Sequence, residues 1–176
     1  MPECEWKPDF TWHKIEINAY KFIFEQAVKK HEEFLSESES ITNKAIKMIV
    51  ALVVMFSFFV NFIVQQKIPI GYNAVFFILF IIVVVAVMSL IAPKEVKTKG
   101  FVPSELLPKE LDSDADKGLQ EHLLYYSAIC KLENDIQIMR VKNKERARQY
   151  KLCLIASIVL FSVGAIIIIA AIMNYL

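Results

Sequence analysis

The sequence predicts an all-α membrane protein in which three transmembrane helices are joined to long cytosolic amphipathic helices and the chains assemble as an oligomer. Three observations carry this expectation. Of the 176 residues, 56% are hydrophobic, above the roughly 45 to 50% usual for soluble domains, yet 22% are charged. The apolar surplus is therefore gathered into blocks, and residues 48–66, 68–93 and 152–176 hold no charged side chain at all over 19, 26 and 25 positions. Only four Gly and six Pro punctuate the chain, which disfavours a turn-dense all-β or linker-like organisation.

Each block is long enough to cross a bilayer, since a spanning helix needs about 20 mostly apolar residues and a charge at its centre costs about 2.5 to 3.5 kcal/mol. A soluble core is the poorer explanation, because so short a chain could not cover three helices that are apolar all round. In chain order the expected parts are a cytosolic amphipathic helical region at 1–45, span one at 46–66, an external hairpin at 67–73, span two at 74–93, a cytosolic loop and long helix at 94–151, and span three at 152–176. Seven Lys and Arg precede the first charge-free block, twelve lie between the second and third, and Lys67 alone lies in the hairpin. By the positive-inside tendency the N-terminus is cytoplasmic and the C-terminus outside. The acidic residues Glu3, Glu5 and Asp9 and the absence of an apolar h-region make residues 1–12 unlike a signal peptide. The three cysteines, Cys4, Cys130 and Cys153, fall on the reducing side, so no disulfide framework is expected.

The polar parts are patterned too. Tyr20, Phe24, Ala27, His31 and Phe34 recur at helical spacing, with Lys21, Glu25, Lys29 and Glu32 beside them. The SESESITN run at 36–43 is rich in capping residues, Ser36 and Glu39 fitting a capping box, so the helix either breaks there or continues straight into span one, and a bend or break is the favoured expectation. After Pro93, Gly100, Pro103 and Pro108, the residues Leu119, Leu123, Tyr126, Ile129, Leu132, Ile136 and Met139 form a second seam. That helix should start near Ser113 and could run through Lys151 into span three as a rod of roughly 60 residues. The two cytosolic helices should pack on each other or on neighbouring subunits.

Catalytic signatures are missing. His13, His31 and His122 have no HExxH spacing, no CxxC pair or Gly-rich phosphate loop occurs, and no RxxxxH pattern follows Arg140, Arg146 or Arg148. His31 stands on an amphipathic stripe, where a histidine is more often packed than catalytic. No enzyme activity, cofactor or metal is expected.

The most informative polar feature is RVKNKERARQYK at 140–151, which sets six cations and one acid directly before span three. One reading is a lipid-headgroup anchor, with each cation near an anionic leaflet worth about 1 kcal/mol. The other is an anion site, in which Arg140, Lys142, Lys144, Arg146, Arg148 and Lys151 from several subunits grip phosphates. Tyr125, Tyr126 and Tyr150 could stack bases or serve as packing and interfacial anchors. Within the spans, Ser57 and Asn61 lie four apart on one face that should turn from lipid, toward another helix or the lumen of a pore. Ser157, Gly164 and Ala171, at seven-residue spacing, offer a small-residue packing face.

The SITNKA run at 40–45 leading into span one, the tight hairpin, Pro93 at the exit of span two and a returning helix that carries Asn134 resemble the small membrane effectors of bacterial antiphage systems, the SLATT and Pycsar-effector groups. Lys44-Ala45 is the main residue match. Thr42 stands where the pattern has an acidic residue, and the third span exceeds a plain two-span plan. The resemblance implies a homo-oligomeric ion-conducting pore, a tetramer or larger, gated by a nucleotide or oligonucleotide from a partner nucleotidyltransferase and acting by dissipating the membrane potential. The alternative is a non-conducting membrane scaffold or regulatory subunit that docks a cytosolic partner through its amphipathic helices. A membrane-anchored hydrolase would need a catalytic pair that the sequence does not offer.

Overall fold

The structure, a computed structural model, describes residues 15–66, 70–92 and 117–173. Its elements are three helices, α1 (Ile17–Gln66), α2 (Ile70–Ile91) and α3 (Lys117–Met173). Each is long and apolar enough to cross a membrane. The charge-free blocks account for the C-terminal part of α1, all of α2 and the C-terminal part of α3. Cys4, His13, hairpin residues 67–69, the segment from Pro93 with the expected helix start near Ser113, and residues 174–176 lie outside the described residues.

The break expected at residues 36–43 does not occur, and α1 runs unbroken through the run of capping residues. The physical reason lies in how those side chains are satisfied. Ser and Glu lack the missing N–H of Pro and the backbone freedom of Gly, so they weaken a helix by only a few tenths of a kcal/mol each. Thr42 Oγ1 donates to the Ser38 carbonyl at 3.2 Å, keeping its hydroxyl bond inside the helix. Ile41 and Ala45 are buried, and that burial favours the helical path over a cap.

The chain divides into two compact units. The first comprises Met1–Glu37 and Glu95–Asn143, the second Ser38–Lys94 and Lys144–Leu176. In the first unit α1 and α3 lie side by side and run parallel. His122 sits against Tyr20, Tyr125 against Phe24, and Asn143 against the Phe34 carbonyl. Of the α1 stripe, Tyr20 and His31 are buried and Phe24, Ala27 and Phe34 half-buried, and Leu35 beside it is buried too. On α3 the expected seam begins late: Leu119 is exposed, and burial is continuous in register from Ile129 through Leu132 and Ile136 to Met139.

The second unit is a three-helix bundle in which α2 runs antiparallel to both partners. Phe59 stacks on Phe76 with centroids 3.6 Å apart and Phe56 on Phe80 at 4.3 Å, fixing α1 against α2. Leu52, Val83, Val87, Leu90 and Leu160 complete the core. The small-residue face of α3 is a packing face. Ser157, Gly164 and Ala171 are all buried, and a Cβ at Gly164 would come within 3.1 Å of the Phe76 ring. Only 17 to 22% of each apolar stretch is buried inside the chain, so the outer surfaces of these helices need lipid or another subunit to cover them.

Candidate functional site

The six basic residues singled out in the sequence differ in burial. Arg140 and Lys142, in the first unit, are exposed, as are Lys144, Arg148 and Lys151 in the second. Arg146 is buried, with 8% of its surface exposed. The helix explains the difference. Buried positions along α3 recur by threes and fours, at 132, 136, 139, 143 and 146 and again at 153, 157 and 160, so Asn143 and Arg146 continue the apolar seam through the basic run.

Arg146 ties all three helices of the second unit together. Its Nη1 donates to the Ser38 hydroxyl and, at 3.4 Å, to the Ser38 carbonyl. Its Nη2 donates to Thr42 Oγ1 at 2.8 Å and to the Leu90 carbonyl at 2.9 Å. Leu90 lies in the last turn of α2, where carbonyls have no helical N–H to accept, and a cation there also complements the helix dipole. The guanidinium Nε is buried with no partner. Sequence reasoning missed Ser38, Thr42, Leu90 and Asn143, and the heptad continuation across residues 143 and 146 was the available signal.

In the first unit Asn143 Nδ2 donates to the Phe34 carbonyl at 2.8 Å and to Glu37 at 3.2 Å. Arg140 lies on a groove of about 720 Å³ between α1 and α3, with Lys30 and Glu133 also on its walls and Ile23, Phe34 and Ile136 supplying apolar surface. Lys30 is already engaged by Glu33 at 2.7 Å, and that hydrogen bond holds the Glu33 carboxyl below its ordinary range. Tyr125 pairs edge-to-face with Phe24, and Tyr150 packs against the bundle core, so both rings serve packing. Burial, with a smaller contribution from Cys130, lifts the Tyr20 phenol above its ordinary value. Among the described residues, no three His, Cys, Asp or Glu side chains gather as a metal-binding group.

Ser57 and Asn61 are exposed on α1. Ser57 Oγ donates to its own helix at the Val53 carbonyl, 2.9 Å away, and Asn61 Oδ1 accepts from Gln65 Nε2 at 3.4 Å. Ser57, Asn61 and Gln65 thus form a polar line, at four-residue spacing, on a helix face that no other part of the second unit covers. No known protein family, curated protein or solved structure matches the chain.

Proposed function

We propose that this chain is a subunit of a homo-oligomeric, ion-conducting assembly of a bacterial inner membrane, opened or closed by an anionic ligand at its cytosolic side. In its fullest form this is the antiphage effector that the sequence resembles, with a nucleotide or oligonucleotide as ligand. The observation that supports conduction is the exposed line of Ser57, Asn61 and Gln65. Left in acyl chains, an amide with unmet hydrogen bonds is costly, whereas around a shared axis the same line would meet water or its copies. One chain offers no enclosed path between three helices packed around Phe59, Phe76 and Leu160, so several copies are needed.

The test is ion flux in liposomes loaded with potassium, with cyclic mononucleotides and short oligonucleotides added as probes. Wild-type protein should leak potassium above the lipid background, and Asn61→Leu should cut that leak several-fold while crosslinking still reports the same oligomer. Leak equal to empty liposomes with every probe sinks the conducting reading. The groove beside Arg140 supports a second reading, a non-conducting regulatory subunit that receives a partner's amphipathic helix. Absence of flux together with helix binding at that groove selects it.

A further inference from the structure

We propose that Arg146 is a phosphate-responsive latch: a guanidinium resting on neutral acceptors, which a phosphate group draws away, so that the C-terminal end of α2 is released. Every partner of Arg146 is a carbonyl or a hydroxyl, and among the described residues no carboxylate pairs with it. A buried cation without a counter-charge has paid most of its desolvation cost for only neutral hydrogen bonds. Its Nε, buried and unbonded, leaves one donor of the planar fork unused.

Phosphate matches what this arrangement lacks. Arg–phosphate pairs are charge-assisted and bidentate, roughly twice as strong per bond as neutral ones. Lys144, Arg148 and Lys151 are exposed on the same helix within the same unit, and they raise the concentration of phosphate anions beside Arg146 without competing for its present acceptors. When Arg146 turns to an anion, the Leu90 carbonyl loses its partner and α1, through Ser38 and Thr42, loses its polar link to that end of α2. The effect of ligand is therefore transmitted by subtraction, through bonds removed from the bundle. The proposal uses the part of the functional reading in which an anion acts at this end of the spans, and it needs no conduction.

The shared chemistry is a phosphate monoester, diester or anhydride, whether free or carried by a lipid headgroup. The experiment is hydrogen exchange of full-length protein, followed on peptides spanning residues 86–92, with inorganic pyrophosphate titrated in neutral detergent. Wild-type exchange should start slow and rise several-fold to a plateau, while sodium chloride of equal ionic strength leaves it unchanged. Arg146→Gln should exchange fast from the start and ignore pyrophosphate; Arg146→Lys, which keeps the charge and loses the fork, should fall between. In nanodiscs, fast exchange in phosphatidylglycerol but slow exchange in phosphatidylcholine assigns the phosphate to lipid, and response to pyrophosphate in both assigns it to a free ligand.

A polar residue at a packing position can also serve only to fix helix register. In that event Arg146→Gln exchanges fast but pyrophosphate and lipid leave the wild type unmoved, and the latch is overturned; an equal response to chloride overturns it too. If Arg146→Gln does not fold, Thr42→Val removes one Nη2 acceptor and should lower the half-effective pyrophosphate concentration several-fold, an unchanged value again refuting the idea. Liposome leak is a separate readout, so loss of flux with an intact exchange response condemns the conducting assembly and spares the latch.

Discussion

Polar side chains do different work in the two compact units. In the first, they reach from helix to helix: His122 Nε2 donates to the Ile15 carbonyl at 2.8 Å, Asn143 to Phe34 and Glu37, and Lys21 faces Glu121 at 3.2 Å. In the second, Ser57, Ser89 and Ser162 each donate to a carbonyl three or four residues back on their own helix. Arg146, and Ser157 with its 3.3 Å contact to the Met48 sulfur, bond across. The difference follows from the surroundings that each composition suits. Where water can solvate loose ends, cross-helix polar bonds and exposed ion pairs are tolerated; where it cannot, hydroxyls are satisfied locally and rings and notches hold the helices.

The sharpest way to break this comparison is to empty one core at a time. Tyr20→Ala and Phe59→Ala each remove a ring that is all but inaccessible, and each should cost about 3 to 5 kcal/mol. Hydrogen exchange should show the first loosening residues 17–37 and 117–143 and the second loosening the bundle around α2. If both variants unfold both units alike, the division has no energetic meaning. Asn143→Ala comes next, at about 1 to 3 kcal/mol, because it removes the buried amide's hydrogen bonds to the Phe34 carbonyl and the Glu37 carboxylate; thermal unfolding of the purified variant measures it. Smallest is the Lys21–Glu121 pair, whose side chains are 44% and 48% exposed, so a double-mutant cycle should give at most about 0.2 to 1 kcal/mol, fading as salt is raised.

What could be read in advance was whatever depended on one stretch of chain at a time. Three uncharged blocks announced three helices, the Tyr20 to Phe34 stripe announced its buried side, and Ser157, Gly164 and Ala171 announced a close approach later filled by Phe76. The errors arose where the deciding partner was distant in sequence. Residues 36–43 look like a helix end until Ile41 and Ala45 are seen to be buried. Arg146 looks like one cation among six until Ser38, Thr42 and Leu90, between 56 and 108 positions away, are found around it. Helical spacing alone separated residues 142, 146 and 149 from 140, 144, 148 and 151, but nothing local to the run told which side would be covered.

The middle helix is seated at two points, the Phe76 ring in the Gly164 notch and the Leu90 carbonyl under Arg146, and α3 supplies both seats. During synthesis α3 is made after α1 and α2, so the α1–α2 pair first exists with those seats vacant. The nascent pair is consequently a half-built intermediate, fastened by its stacked phenylalanine rings and the aliphatic side chains around them. A ribosome stalled before residue 146 would leave it open to quality-control proteases, so that synthesis past residue 164 becomes a condition for its survival.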